Sequence, residues 1–213
     1  MTSGWILGIF TEKEFAMPAI ITDINELDLN GTYTYADYLL WQFEERLELI
    51  KGKIFKMSPA PNTRHQKISG KLHWGMRAFF QNHYCQIFYA PFDVRLPRRD
   101  QKVTDQKIYT VVQPDLCVIC DESKLDDRGC LGAPDLVVEI LSTGNSKKEK
   151  DNKFDLYQES GVREYWLVEP ANNTLYAYVL DENGVYIGLK PATEKFRSTI
   201  FPGLEIDLKE VFV

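Results

Sequence analysis

The chain has 213 residues and a formal net charge of −6, with 44% of its residues hydrophobic and 26% charged. This composition is typical of one globular domain with a substantial core, and no stretch approaches the length of a membrane span. The early apolar run at residues 5–10 is short and lacks a basic leader, which argues against a signal peptide. We therefore expect a cytoplasmic protein without a membrane segment.

The N-terminal region divides into an extension and the start of a folded domain. Residues 1–30 show no clear periodicity, and we expect a flexible extension there, followed by a single domain over residues 31–213. Residues 46–57 predict two short strands joined by a tight turn. Glu48 lies in the first of these strands, and by itself it is expected to face solvent, since exposed glutamates are common.

A long helix is predicted over about residues 64–82, where Ile68 and Leu72 begin a stripe of apolar residues at helical spacing. His65 lies in the first turn of this helix. It either faces a cleft, where it would contact a phosphate, or caps an exposed helix start, and the pattern leaves both open. One strand is then predicted over residues 86–96.

Two apolar strands follow, and each begins with a proline and an aspartate. They cover residues 111–120, with Asp115, and residues 132–142, with Asp135. Their nearly continuous apolar sequences are typical of strands buried on both faces of an α/β sheet. Glu139 interrupts the second strand, and a buried carboxylate is costly unless it is paired, protonated or bound to a cation. We interpret Asp135 as a strand-entry residue.

A capping-box pattern predicts a helix over residues 147–160, directly after the strand that carries Glu139. Its surface presents Lys150 and Lys153. Asp115 and Glu139 can therefore converge with a helix lysine on one cleft. With further strands predicted downstream, the order of elements indicates a mixed α/β sheet. The sequence contains neither a glycine-rich phosphate loop nor a nucleophile elbow, which argues against a nucleotide-binding fold and a serine hydrolase.

Six segments occur in a characteristic order: Glu48 within residues 47–52, His65 at a helix start, Pro114-Asp115, residues 134–142 with Glu139, residues 153–157 with Lys153, and residues 161–168. Together they resemble the Uma2 (DUF820) family of endonucleases, which have the PD-(D/E)XK restriction-endonuclease-like fold, from about residue 32 to the C-terminus. The resemblance implies a restriction-endonuclease-like mixed central sheet flanked by helices.

The resemblance also implies the site residues. Asp115 and Glu139 match the metal-ligating carboxylates of the family, and Glu48 becomes a third catalytic carboxylate beside them. The general nuclease motif places a lysine two residues after the glutamate, but that position is Leu141 here. Lys153 on the following helix is therefore the candidate catalytic amine.

The implied activity is that of an endonuclease that depends on Mg²⁺ or Mn²⁺ and hydrolyses the phosphodiester bonds of DNA. Mg²⁺ prefers one or two carboxylates with waters and a phosphate oxygen, so Asp115, Glu139 and a neighbouring backbone carbonyl suit it. Lys153 would orient or deprotonate the attacking water, and His65 and Lys150 would bind the substrate. Nucleases of this fold often dimerise, so a homodimer is expected by analogy.

The charge pattern leaves a second function open. Nucleic-acid binders tend to be basic, so a net charge of −6 argues mildly against a DNA substrate. Basic residues at 147–153 and 95–107 offer local positive charge, although such runs are usually solvated faces. The alternative is a non-catalytic nuclease-fold module that binds nucleic acid or protein. The intact carboxylate pair and the helix lysine favour the enzyme.

Four cysteines, at positions 85, 117, 120 and 130, raise the question of a zinc site. Cys117 and Cys120 are predicted on opposite faces of one strand, so a zinc ion would also need Cys130 or a histidine. Because a second pair of ligands is missing, we favour buried cysteines that act as small apolar residues.

Overall fold

The computed structural model describes residues 19–57, 62–98, 103–142 and 147–213, with the backbone alone for residues 147–150. In chain order, its helices and strands are α1 (Tyr35–Tyr38), β1 (Leu47–Ile50), β2 (Lys53–Lys56), α2 (Thr63–Phe80), β3 (Gln86–Tyr89), β4 (Val94–Arg95), β5 (Val111–Val112), β6 (Leu116–Ile119), β7 (Leu125–Asp126), β8 (Gly129–Leu131), β9 (Leu136–Ile140), α3 (Lys147–Ser160), β10 (Glu164–Glu169), β11 (Thr174–Leu180), β12 (Tyr186–Gly188), β13 (Lys195–Arg197), β14 (Glu205–Asp207) and α4 (Leu208–Val211).

Within the described residues, the strands form two six-stranded sheets and a hairpin. The first sheet has the order β2-β1-β5-β4-β8-β7, the second has the order β12-β11-β10-β9-β6-β3, and β13 pairs with β14. In the second sheet β9 and β10 are parallel, whereas the other neighbours are antiparallel. The prediction of a mixed α/β fold is confirmed.

Helices α2 and α3 cover opposite faces of the second sheet. Ile68 of α2 belongs to the same buried cluster as Val138 of β9, whereas Tyr157 of α3 packs in another cluster with Val137. Strand β9 is thus buried on both faces, as its apolar sequence predicts. Glu139 points toward α3, where it contacts Tyr157.

Two strands that were predicted as continuous are each split between the sheets. The strand predicted over residues 86–96 is β3 in the second sheet and β4 in the first, and that predicted over residues 111–120 is β5 in the first and β6 in the second. Pro91 and Pro114 lie in the gaps, and a proline has no N–H to continue a ladder. The chain therefore crosses between the sheets immediately before β6.

Residues 121–132 connect β6 to β9 and include the short hairpin of β7 and β8 at the edge of the first sheet. Gly129 has a φ of +112°, and a Cβ there would come within 2.2 Å of the Asp93 carbonyl oxygen. The glycine therefore permits a close approach of two backbones that no other residue would allow. Strands of two or three residues are too short to show the alternation from which a strand is predicted.

The described part of the N-terminal extension packs against the domain. Ile24 and Leu27 are buried in one cluster with Leu47 of β1, and Ile21 forms a bridge with Trp41. The preceding residues of the predicted flexible extension lie outside the described residues.

Two of the four cysteines form a disulfide, Cys85–Cys120, with a sequence separation of 35. The interpretation of all four as small apolar residues is wrong for this pair. The pairing of β3 with β6 sets Gln86 opposite Ile119, which brings the flanking cysteines together. Cys117 and Cys130 are free and buried, as that interpretation expects. Among the described residues, no helix combines the length and the apolar character that a bilayer crossing requires.

Candidate active site

The predicted site residues come from four elements that meet where the two sheets separate. Asp115 ends the crossing from β5 to β6, and Glu139 lies on the neighbouring strand β9. Glu48 lies on β1 of the first sheet, and Lys153 projects from α3. The structure brings these four side chains together, although they are far apart in the sequence.

The ammonium group of Lys153 links two of the carboxylates. Its Nζ donates to Glu139 Oε1 at 2.8 Å and to Glu48 Oε1 at 3.0 Å. Glu48 Oε1 also accepts a hydrogen bond of 2.9 Å from the backbone N–H of Gln113. Glu48 is only 5% exposed, so the expectation that it faces solvent is wrong. The reason is that β1 lies inside the first sheet and is buried along its whole length.

Tyr157 was not predicted as a site residue, yet it completes the surroundings of Glu139. Its hydroxyl donates to Glu139 Oε1 at 2.6 Å, and its side chain is fully buried. Tyr157 follows Lys153 by four residues on α3, so both side chains lie on the same helix face. That spacing is the sequence signal that identifies it.

Asp115 is held by the end of β9 and by His65. Its Oδ2 accepts a hydrogen bond of 2.7 Å from the backbone N–H of Ile140, and His65 Nε2 lies 3.3 Å from the same oxygen. His65 Nε2 also lies 3.2 Å from the carbonyl oxygen of Ile140. Each of these contacts fixes the carboxylate relative to β9.

His65 lies in the site and does not cap an exposed helix start. It is 8% exposed, and the N-cap of α2 is Asn62, whose side chain accepts from the His65 backbone N–H at 2.9 Å. The imidazole Nδ1 is buried and has no hydrogen-bond partner among the described residues. His65 therefore does not cap an exposed helix start; its imidazole lies in the site beside Asp115, and its contact with a phosphate stays a prediction.

The site carries more negative than positive charge. Burial raises the pKa of Glu139; Lys153 opposes that shift, Glu48 and Asp115 reinforce it, and the result is a pKa of about 7. Burial alone would lower the pKa of Lys153, but the two glutamates outweigh burial and raise it. Burial alone would lower the pKa of His65, but the hydrogen bond and charge of Asp115, with the Ile140 carbonyl group and Glu139, together raise it. Near neutral pH, Glu139 therefore lies between its protonated and its ionised form.

The available donors suit a hydrated hard cation better than a closed metal site. The described residues contain no group of three or more His, Cys, Asp or Glu side chains that could by themselves hold a metal ion. Asp115, Glu139 and the Ile140 carbonyl group offer oxygen donors next to uncompensated negative charge. Mg²⁺ typically takes one or two carboxylates and keeps several waters, so this donor set fits it.

The basic residues predicted near the site are described only in part. The side chain of Lys150 lies outside the described residues, as do residues 99–102. Arg95 does not belong to a basic surface, because it is 1% exposed and pairs with Asp126 at 2.5 Å. Arg98 is exposed, as that prediction requires.

Asp135 acts as the predicted strand-entry residue. Its Oδ2 accepts a hydrogen bond of 2.8 Å from the backbone N–H of Cys120, and its Oδ1 accepts one of 3.0 Å from Arg163 Nη1. These bonds tie the start of β9 to both neighbouring strands.

Comparison with known proteins identifies the family of the chain and a solved structure with the same fold. A family model described as "Uma2: Putative restriction endonuclease" matches residues 35–209. The uncharacterized protein slr1290 of Synechocystis sp. is 25% identical over 154 residues, which cover 71% of this chain and 76% of that protein. The uncharacterized protein sll1609 of the same strain is 28% identical over 141 residues, which cover 64% of this chain and 74% of that protein.

A solved structure has the same fold. It is the crystal structure of a protein described as a putative nuclease belonging to DUF820, from Anabaena variabilis. The TM-score is 0.65 at 20% sequence identity, and the match covers 84% of this chain and 97% of that one. At this identity the likeness establishes the shared architecture.

Proposed function

The chain belongs to the Uma2 family, and from that membership and the geometry of the site we propose that it is a metal-dependent endonuclease that hydrolyses DNA phosphodiester bonds. One observation carries the proposal. Glu48 and Glu139 share Lys153 in a buried site, with Asp115 close to Glu139. Burial, reinforced by Glu48 and Asp115 and opposed by Lys153, raises the pKa of Glu139 to about 7. A purely structural cluster gains nothing from such an excess of buried negative charge, whereas perturbed carboxylates are common at catalytic sites.

Mg²⁺, or Mn²⁺ in its place, is the proposed cofactor. Asp115, Glu139 and the Ile140 carbonyl group would hold it, and His65 would keep the Asp115 carboxylate in place. When bound, the cation supplies neutralisation of the phosphate and acidification of a coordinated water.

Side chains of the protein would act on the attacking water and on the negative charge that develops on the phosphate. Lys153 is charged and held between Glu139 and Glu48, so its ammonium group is positioned to orient water and to stabilise negative charge on the phosphate. Tyr157 fixes the shared oxygen of Glu139, which keeps that carboxylate from rotating. We propose Lys150 as a further substrate contact.

The proposal also covers how DNA would bind, where the protein acts and in which oligomeric state. A DNA substrate would approach an acidic protein, with a net charge of −6, so binding would depend on a few local basic residues and would be modest. We propose a cytoplasmic location, and a homodimer as the form that cuts both strands. The location rests on the sequence expectation, and the homodimer on analogy with nucleases of this fold.

The direct test is cleavage of supercoiled plasmid DNA by the purified protein with Mg²⁺, with Mn²⁺ and with a chelator. We expect nicked and linear products with either cation and none with the chelator, because the carboxylates alone repel the phosphate. DNA binding without cleavage under any of these conditions would contradict the enzyme and would support the non-catalytic nuclease-fold module.

A further inference from the structure

Arg46 lies beside the site and has no assigned role. It directly precedes β1, and its carbonyl oxygen accepts a hydrogen bond of 3.0 Å from the backbone N–H of Met57, so it continues the pairing of β1 with β2. Side chains two residues apart on a strand share a face and are separated by about 6.6 Å. Arg46 therefore lies on the same face of the strand as Glu48, and it is exposed whereas Glu48 is buried.

A glutamine fixes the guanidinium group of Arg46. Gln113 Oε1 accepts from Arg46 Nε at 3.2 Å and from Nη2 at 2.5 Å. Gln113 Nε2 donates to Asp93 Oδ1 at 2.7 Å, which orients the amide because a carboxylate can only accept. The same Gln113 donates its backbone N–H to Glu48 Oε1. One residue thus holds both Arg46 and the catalytic carboxylate.

The guanidinium group of Arg46 is exposed, and no ion pair with a residue that the structure describes neutralises its charge. Its hydrogen bonds go to the neutral side chain of Gln113, and no ion pair joins it to a carboxylate of the described residues. Asp93 lies on the other side of Gln113, where burial raises its pKa and the charge of Arg46 opposes that shift. By contrast, Arg163 pairs with Asp135 and Arg197 with Glu205. A guanidinium group has five N–H donors, so those not used by Gln113 remain for an acceptor that arrives from solvent.

We propose that Arg46 binds a phosphate of the nucleic-acid backbone next to the one that is hydrolysed. This inference rests on the proposed nuclease function and adds a substrate-binding residue to it. A fixed planar guanidinium group matches the geometry of a phosphate, and it loses little side-chain freedom on binding because Gln113 already orders it. The distance of about 6.6 Å from Glu48 along β1 suits a neighbouring phosphate rather than the reacting one.

The test measures DNA binding and cleavage separately. Arg46→Ala, Arg46→Lys and the control Arg197→Ala are each made in the wild type and in the cleavage-deficient Glu139→Gln background. Arg197 is 82% exposed in its side chain and lies on β13, in the hairpin that contributes no residue to the site, and its removal changes the net charge by the same amount. Fluorescence anisotropy with a labelled DNA duplex gives the affinity at several salt concentrations, and thermal unfolding confirms that each variant is folded.

We expect Arg46→Ala to weaken binding by roughly tenfold and to reduce the slope of log affinity against log salt by about one. Arg46→Lys should recover part of the affinity, and Arg197→Ala should match its parent. In the wild-type background the loss should appear mainly in KM. If the protein binds and cuts DNA but Arg46→Ala keeps the affinity and slope of the control, the inference fails and the nuclease proposal stands. If the parent proteins neither bind nor cut DNA, both fail.

Discussion

Glu139→Gln is expected to abolish DNA cleavage, with a loss of about 10³-fold or more, while the protein stays folded. Glutamine has the same shape but lacks the negative charge that a cation and Lys153 require. The fold should tolerate it because the pKa of Glu139 is already raised to about 7, so a neutral side chain is accommodated near neutral pH. The amide oxygen can still accept from Tyr157.

Single-turnover cleavage of plasmid DNA measures this effect, with thermal unfolding as the check on the fold. Glu159→Gln is the matched control, because Glu159 also lies on an element of the same site, α3, but is 55% exposed in its side chain and pairs with Lys51. That control should cut at the wild-type rate. Cleavage by Glu139→Gln at a rate close to that of the control would remove Glu139 from the mechanism.

Lys153→Met is expected both to eliminate cleavage and to destabilise the fold. Methionine retains the length of the side chain but removes the cation that Glu48 and Glu139 share, which leaves two buried carboxylates uncompensated. Removing one partner of a buried ion pair typically costs about 3–5 kcal/mol. The loss should be largest where both glutamates are ionised.

The loss of stability in Lys153→Met should depend on pH, and the titration of Glu139 determines whether it grows or shrinks as the pH rises. Its pKa is higher in the folded protein than in the unfolded chain, so its contribution to stability is present at acid pH and is lost as the pH rises through about 7. Lys153→Met removes the charge that opposes this shift, so the difference from wild type should grow between about pH 5 and about pH 8.

Urea unfolding at the two pH values measures the difference. Lys51→Met is the control, because Lys51 is 54% exposed in its side chain and its pair with Glu159 should contribute less than about 1 kcal/mol. A Lys153→Met protein with wild-type stability at both pH values would show that the ammonium group does not compensate Glu139.

The parts of the fold that the sequence predicts well are those with strong local patterns. The apolar run of β9, broken only by Glu139, indicates a strand buried on both faces, and the structure has helices on both sides of it. The apolar stripe of α2 and the capping pattern before α3 likewise agree with the observed helices. These signals depend on residues within one element.

The features that the sequence does not predict depend on contacts between elements. The burial of Glu48 results from the pairing of β1 with β5, and no local pattern specifies that neighbour. The disulfide of Cys85 and Cys120 results from the register of β3 and β6. The orientation of His65 toward Asp115 depends on how α2 crosses the end of β9.

Metal binding is the property on which the proposed function depends most directly. Calorimetric titration of Mg²⁺ and of Mn²⁺ into the wild type and into Glu139→Ala measures it without relying on a particular DNA substrate. We predict binding to the wild type that disappears in the variant, since Glu139 supplies one of the two carboxylates. No binding to the wild type, or equal binding to both proteins, would contradict a catalytic metal at Asp115 and Glu139.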